Sequence, residues 1–174
     1  MSHTIGTPAA AQFSLERFTA YVESRGIAAE IIDCGSSTLT VAQAAEAVGS
    51  EPGQILKTLL FHDGKQGFVV AIAAGFSRID TLKLLGASSL TSARLASPKI
   101  VLERLGYPAG GVPPIDLPAD IAVIVDIGAA GLTTCYAGAG STRHLVKLEP
   151  RIIIQQNNAT IAQIVEAGTY SGCQ

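Results

Sequence analysis

Two apolar runs joined by a turn sequence constrain the fold of this chain more than any other feature. Residues 55–61 and residues 68–73 are mostly apolar, and Asp63-Gly64 lies between them. Asp-Gly between apolar runs is a strong local signal for a β-hairpin, because glycine readily adopts the positive φ that tight hairpin turns need. The sequence therefore predicts a pair of antiparallel strands.

Lys57 is the only charged residue within the first of these runs. An ammonium group buried among apolar neighbours without a partner is costly, so the fold must give it solvent, a counter-charge or a ligand. Two interpretations are open. Lys57 either protects a sheet edge or reaches past its neighbours to water, or it faces a ligand. The pattern of the strand alone does not separate them.

Helix and strand signals alternate along the rest of the chain. Ser14 as a cap and Gly26 as a stop predict an N-terminal helix over residues 14–25. A capping box at Thr40 and a Ser97-Pro98 start predict two more helices. Further signals predict a helix from Asp80 to Gly86 and strands at residues 30–33, 121–125, 132–136 and 145–148, whereas residues 151–154 fit a strand or a helical turn.

These elements predict an α/β fold. Hairpins alternate with helices without a regular βαβ rhythm, which favours a mixed, largely antiparallel sheet flanked by helices. The length of 174 residues and the hydrophobic content of 48% are those of one well-cored domain. We therefore expect residues 1–174 to form a single domain.

The composition also bears on location and redox state. No apolar run approaches the roughly 18 residues of a membrane-spanning helix, and the first residues lack a signal-peptide pattern, so we expect a cytoplasmic protein.

The three cysteines, Cys34, Cys135 and Cys173, are odd in number and widely spaced. Such spacing favours free thiols over disulfides and contains no zinc-binding motif.

The charge distribution leaves two interpretations open. The net charge of −2 argues against a protein that coats nucleic acid. Residues 57–104, however, hold seven basic residues against three acidic ones, whereas residues 1–56 hold two against six. The basic segment is either a set of solvated helix faces or a local binding surface for a few phosphates.

The second candidate site feature is the loop Gly110-Gly111-Val112-Pro113-Pro114. Its glycines allow the backbone to approach a ligand, and its prolines stiffen the loop. Covalent catalysis is not favoured, because no G-x-S-x-G nucleophile elbow is present. The later turn, Gly138 to Ser141, is too short for a dinucleotide-binding motif or a P-loop and fits a tight hairpin turn.

Taken together, these motifs resemble the YbaK/ProX family of free-standing aminoacyl-tRNA deacylases, which are related to the editing domain inserted in bacterial prolyl-tRNA synthetase. The resemblance covers approximately residues 27–150. Its most specific parts are the Lys57-Thr58 pair and the Gly-x-x-x-Pro loop from Gly110 to Pro114. The segments that match in order and separation are 57–60, 106–114, 124–126 and 136–140.

The resemblance implies an editing-domain fold and a reaction. That reaction is hydrolysis of the ester between a small mischarged amino acid, such as Ala, Ser, Cys or Thr, and the 3′ end of a tRNA of the tRNA(Pro) type. It implies no metal, no cofactor and no protein nucleophile. The implied partners are an aminoacylated tRNA and, as an open question, an aminoacyl-tRNA synthetase.

The resemblance also assigns site residues. It makes Lys57 the catalytic residue, facing the terminal nucleotide or the developing negative charge. The substrate-binding residues that it implies are Thr58, Gly110, Gly111, Val112, Pro113, Pro114, Gly138, Gly140 and Ser141.

The chain departs from the Cys-tRNA(Pro) deacylase type of this family near the late turn. That type has Ser-Gly-Gly-Lys-Arg-Gly and then an acid, whereas this chain reads Gly-Ala-Gly-Ser-Thr-Arg-His over residues 138–144. The sequence favours His144 as a surface residue over a replacement for the missing acid. The alternative function is a non-catalytic module that binds a tRNA end or a nucleotide, or docks on a synthetase.

Overall fold

The computed structural model describes residues 8–168, with side chains from residue 14 onward. Cys173 lies outside this range, and Cys34 and Cys135 are free thiols. The helices are α1 (Pro8–Ser24), α2 (Val41–Val48), α3 (Thr81–Ala87), α4 (Pro98–Leu105), α5 (Ile127–Ala130) and α6 (Pro150–Asn157), with a 3-10 turn at Pro52–Gln54. The strands are β1 (Glu30–Asp33), β2 (Leu56–His62), β3 (Phe68–Ala74), β4 (Arg94–Leu95), β5 (Ala122–Asp126), β6 (Cys135–Gly138), β7 (His144–Leu148) and β8 (Thr160–Ala162).

The strands form two sheets. The larger has the order β4-β2-β3-β5-β8 and the smaller the order β1-β7-β6. The predicted hairpin is present, with Leu56 opposite Ala74 and His62 opposite Phe68. Among the strands that the structure describes, the β3–β5 and β5–β8 pairs are parallel and the other pairs are antiparallel. The predicted α/β fold with mixed, largely antiparallel pairing is therefore confirmed, although the division into two sheets was not anticipated.

The central hairpin is buried on both faces. Leu60 and Val70 belong to the main apolar core, whereas Phe61 and Val69 belong to a second core on the opposite face. Because alternate side chains of a strand point to opposite faces, a strand covered on both sides needs a continuous apolar run. This arrangement explains why the charge of Lys57 stands out in the sequence.

Several predicted helix ends are confirmed by their hydrogen bonds. Thr40 Oγ1 accepts the backbone N–H of Gln43 at 3.2 Å, and the Gln43 side chain accepts the N–H of Thr40 at 3.1 Å. Asp80 and Ser97 cap α3 and α4. Among the residues that the structure describes, no helix is both long and apolar enough to span a bilayer.

Three predicted boundaries were wrong. The first helix begins at Pro8 rather than at Ser14, because a proline is well suited to a first helical turn, where its missing N–H costs nothing. α3 continues past Gly86 to Ala87. The strand predicted from residue 132 begins only at Cys135, after α5 and a turn. The ambiguous residues 151–154 lie in α6.

Helix α1 holds two later loops in place. Arg17 Nε lies 3.0 Å from Asp116 Oδ2, and its guanidinium lies 4.5 Å from the centre of the Tyr107 ring. The Tyr107 hydroxyl donates a hydrogen bond to the same carboxylate. Asp116 has a φ of +62°, a conformation that disfavours most side chains. Gly140 packs so closely on α1 that an added Cβ would lie 2.7 Å from the Ser14 carbonyl oxygen.

We predict that Arg17→Ala lowers the free energy of unfolding by about 1–2 kcal/mol more than Arg104→Ala does, because it removes a charged donor from a largely buried carboxylate. Arg104 is a matched control. Its side chain is as exposed as that of Arg17 (38%) and also covers an aromatic ring, but its partner Asp120 is 69% exposed, against 16% for Asp116. Urea unfolding of both variants measures the difference. Equal losses would contradict the role of α1 in holding Asp116.

Candidate active site

A cleft of about 220 Å³ lies beside the open edge of β2. β4 pairs only with Phe61 and His62, so within the described residues the first half of β2 has no strand partner on that side. An isolated bridge joins Ile55, just before β2, to Tyr136. The cleft is bordered by this edge, by the start of α2, by the loop at residues 110–112 and by the β6–β7 turn. It therefore lies where the two sheets meet.

Lys57 lines this cleft and is half-buried. Its ammonium group makes no hydrogen bond or ion pair with any residue in the described range 14–168. Burial lowers the pKa of Lys57 below its ordinary value. The strand thus holds a partly desolvated cation with no counter-charge among the described residues, which an anionic ligand would stabilise.

Thr58 carries the second unsatisfied group of the cleft. Its Oγ1 is fully buried and has no hydrogen-bond partner among the described residues. A buried hydroxyl without a partner costs about 1–3 kcal/mol, and such groups in native proteins mark a water or ligand position. Thr58 therefore lines the cleft with an unsatisfied hydroxyl buried behind its surface.

The loop that faces β2 presents two free backbone donors. The N–H of Gly111 donates to the carbonyl of Pro108 at 3.0 Å, and the N–H of Gly140 donates to the carbonyl of Gly111 at 2.8 Å. Within the described part of the chain, the N–H groups of Gly110 and Val112 donate no hydrogen bond. Both residues line the cleft. The loop can therefore offer these two donors to a ligand oxygen.

The same loop packs backbone to backbone against the β6–β7 turn. A Cβ added to Gly111 would lie 2.9–3.0 Å from the backbone of Ser141, and one added to Gly138 would lie 2.8 Å from the Val112 carbonyl oxygen. Gly110 has a φ of +85°, which glycine adopts without strain. These glycines are required for close approach of the two segments, which forms one wall of the cleft.

The structure brings together part of the predicted site. Lys57 lines the same cleft as five of the predicted substrate-binding residues, namely Thr58, Gly110, Val112, Gly138 and Ser141. The other four do not line it and are buried, namely Gly111, Pro113, Pro114 and Gly140. The contacts of Gly111 and Gly140 support the loop and the turn from behind, and their role in binding stays a prediction.

His144 is not the surface residue that the sequence favoured. Its side chain is 18% exposed, and its Nδ1 lies 2.8 Å from Ser141 Oγ. Its Nε2 lies 3.8 Å from Asp33 Oδ2. The sequence could not show this, because Asp33 lies on β1, more than a hundred residues earlier, and reaches His144 only through the pairing of β1 with β7.

Sequence reasoning also missed the start of α2 as a wall of the cleft. Thr38 to Val41 line it, and Leu39 is 75% exposed at its side. The capping box at Thr40 was a usable signal, because it fixes where the helix starts and how its first turn is oriented. The Asp126 side chain accepts backbone N–H groups from Gly128 and Ile164 and so caps the turn into α5.

We predict that Gly111→Ala destabilises the protein by about 1–3 kcal/mol, because the new methyl group would push the loop away from Ser141. Gly86→Ala is the control, since nothing lies within 4 Å of a Cβ at that helical position. It should be neutral or stabilise by up to about 1 kcal/mol. Urea unfolding compares the two. A neutral Gly111→Ala would show that the close approach of the loop and the turn is not required.

Comparison with known proteins identifies relatives of this chain. Residues 36–154 match the family model described as an aminoacyl-tRNA editing domain. The uncharacterized protein YwhH of Bacillus subtilis is 32% identical over 122 residues, covering 70% of this chain and 77% of YwhH. EbsC of Enterococcus faecalis, named as a proposed Cys-tRNA(Pro)/Cys-tRNA(Cys) deacylase, is 29% identical over 126 residues, covering 72% of this chain and 77% of EbsC.

Two further matches place the chain in a structural context. A proline–tRNA ligase of Lysinibacillus sphaericus is 29% identical over 134 residues, covering 76% of this chain but only 23% of the ligase. The solved structure of a proposed trans-editing enzyme for prolyl tRNA synthetase has a TM-score of 0.78 and 29% sequence identity. The match covers 88% of this chain and 98% of that one.

Proposed function

This chain belongs to the aminoacyl-tRNA editing domain family, and we propose that it is a trans-editing hydrolase. Its reaction is cleavage of the ester that joins a small mischarged amino acid to the 3′ end of a tRNA. The observation that carries the proposal is one cleft lined by Lys57, Gly110 and Val112, whose ammonium and backbone N–H groups have no hydrogen-bond partner among the described residues. We also propose that residues 1–174 form one domain, with a family-like core over about residues 27–150.

The cleft supplies what ester hydrolysis requires. An aminoacyl ester is already activated, so positioning water and stabilising the oxyanion accelerate its hydrolysis. The Gly110 and Val112 N–H groups are proposed to bind the carbonyl oxygen as it gains charge. Donors of this kind contribute about 10²–10³-fold each in other enzymes. Lys57 is proposed to bind the terminal phosphate or the developing negative charge.

The size of the cleft favours small substrates. A volume of about 220 Å³ bounded by Val112, Leu145 and Ala44 leaves little room for a large side chain next to the ribose. Such a cavity acts as a sieve that hydrolyses only what enters it. The proposed substrates are therefore Ala, Ser, Cys or Thr esters.

The tRNA partner is proposed from the relatives. EbsC and the ligase are named for Cys-tRNA(Pro), Cys-tRNA(Cys) and proline–tRNA ligation, which supports a tRNA of the tRNA(Pro) type. Because the net charge of the chain is −2, broad contacts with the tRNA phosphates are not favoured. We therefore propose that the protein binds only the acceptor end of the tRNA and that a synthetase supplies the remaining contacts. We also propose a metal-independent reaction, which predicts an unchanged rate after dialysis against a chelator.

The function is tested by Lys57→Ala in a deacylation assay with tRNAs charged with Ala, Ser, Cys, Thr or Pro. The wild-type protein should release at least one small amino acid, and the variant should release it about 10²-fold more slowly, because the charge that stabilises the transition state is lost. Lys65→Ala, at the exposed tip of the hairpin, is the control and should keep the wild-type rate.

Two outcomes would contradict this proposal. A wild-type protein that binds charged tRNA yet leaves every ester intact would instead support a non-catalytic module that holds a tRNA end. Lys57→Ala with the wild-type rate on the cleaved ester would contradict the role of Lys57 while leaving the deacylase function in place.

We predict that Lys57→Met raises the free energy of unfolding by about 0.5 kcal/mol or more, because it removes a desolvated charge kept for function. Since burial lowers the pKa of Lys57, the unfolded chain binds more protons between that lowered pKa and about 10.4. The gain should therefore shrink as the pH rises through that window. Urea unfolding at several pH values measures it, with Lys65→Met as the control, and a less stable Lys57→Met would contradict the prediction.

A further inference from the structure

Three side chains from two strands and a turn form a connected array at one wall of the cleft. Ser141, which lines the cleft, has its Oγ 2.8 Å from Nδ1 of His144. On the far side of the imidazole ring, Nε2 lies 3.8 Å from Oδ2 of Asp33. The order is thus hydroxyl, imidazole and carboxylate, running from the cleft toward β1.

The hydrogen bonds around Ser141 leave its hydroxyl proton available for donation to His144, and the relay requires the tautomer in which Nδ1 accepts that proton. The backbone N–H of Arg143 donates to Ser141 Oγ at 3.2 Å, so the oxygen already accepts one bond. Its own proton is then free to be donated to His144 Nδ1. With Nδ1 as the acceptor, the neutral imidazole carries its proton on Nε2, which faces the Asp33 carboxylate. One lone pair of the Ser141 oxygen remains for a water molecule in the cleft.

Asp33 is held firmly in this position. Its two carboxylate oxygens accept hydrogen bonds from Arg143 Nε at 2.6 Å and Nη2 at 2.7 Å, and from the N–H of Gly35 at 2.8 Å. The Arg143 hydrogen bonds, and then the Gly35 hydrogen bond, hold the pKa of Asp33 far below its usual range. The carboxylate is therefore ionised at neutral pH and oriented to stabilise a positive charge on His144.

The array lies beside the proposed oxyanion donors. The loop that offers the Gly110 and Val112 N–H groups packs on Ser141 through Gly111, whose added Cβ would lie within 3.0 Å of the Ser141 backbone. A water molecule that hydrogen bonds to Ser141 Oγ would thus lie on the side of the cleft where the ester carbonyl is expected. Proximity of this kind is what general base catalysis requires.

We propose that Ser141 and His144 form a proton relay for ester hydrolysis, with Asp33 as a positioning residue; this inference rests on the proposed function. The oxygen of a cleft water forms a bond to the ester carbonyl carbon. Its proton passes to Ser141 Oγ as the Ser141 proton passes to His144 Nδ1. The bond from the carbonyl carbon to the ribose oxygen then breaks, and the proton returns through Ser141 to that oxygen. The products are the free amino acid and a tRNA with an intact terminal hydroxyl.

The test compares His144→Asn, His144→Ala and Ser141→Ala with the wild-type protein on whichever charged tRNA it deacylates. Asn is informative because its amide oxygen can accept the Ser141 hydroxyl proton in place of Nδ1 but cannot take that proton up. A structural role would be rescued by Asn, whereas a relay would not. We expect all three variants to lose about 10²-fold in kcat with little change in KM, as is typical of general acid–base catalysis.

The pH profile provides a second readout. If the imidazole relays the proton, the dependence of kcat on pH should differ between the wild-type protein and His144→Asn, which has no ionisable group at this position. A structural role would leave the two profiles parallel. The charged groups around the imidazole are Asp33 and Arg143. The control is His62→Ala, since His62 lies at the far end of β2 and outside the cleft.

Three results would overturn the relay. An active wild-type protein with unchanged kcat in His144→Asn and Ser141→Ala would contradict it while leaving the deacylase function intact. An acyl adduct on Ser141, detected by mass spectrometry of quenched reactions, would show that Ser141 attacks the ester itself. A wild-type protein that cleaves no charged tRNA would contradict the proposed function and the relay together. Urea unfolding of each variant separates a loss of folding from a loss of catalysis.

Discussion

The close approach of two glycine-containing segments is the constraint on which the site depends. The loop at residues 110–112 and the turn at residues 138–141 meet backbone to backbone, joined by the hydrogen bond from Gly140 to Gly111. A side chain at Gly111 or Gly138 would separate them. Because they touch, the free N–H groups of the loop and the hydroxyl of Ser141 belong to one wall of one cleft.

β2, which forms the wall of the cleft opposite the Gly110 loop, is not optimised for stability alone. β2 is the first strand of a hairpin buried on both faces, and most of its side chains contribute to one of two cores. Lys57 and Thr58 are exceptions, since each carries a polar group that no described residue satisfies. Unsatisfied groups of this kind persist where ligand binding compensates for them. Their neighbours in the strand supply the rigidity that keeps both groups in position.

Some of the residues that hold the cleft in shape lie outside residues 36–154, the region that matches the family model. Arg17 on α1 fixes Asp116 just after the loop, and Asp33 on β1 is paired with Arg143 just after the turn. Both contacts join a charge near the N-terminus to a segment about a hundred residues later. This chain therefore uses its first two elements to hold the two segments that border the cleft.

The sequence by itself determined the local structure. Some features were predictable because turn chemistry, capping and side-chain periodicity act over a few residues, namely the hairpin, the capping box at Thr40 and the Ser97-Pro98 helix start. The family resemblance, in turn, identified Lys57 and the Gly110 loop as candidate site residues. Only the tertiary structure decided that the strands divide into two sheets, that the Gly110 loop packs on the β6–β7 turn, and that His144 lies between Ser141 and Asp33. Each of these depends on contacts between residues far apart in the chain, whose partners no local pattern encodes.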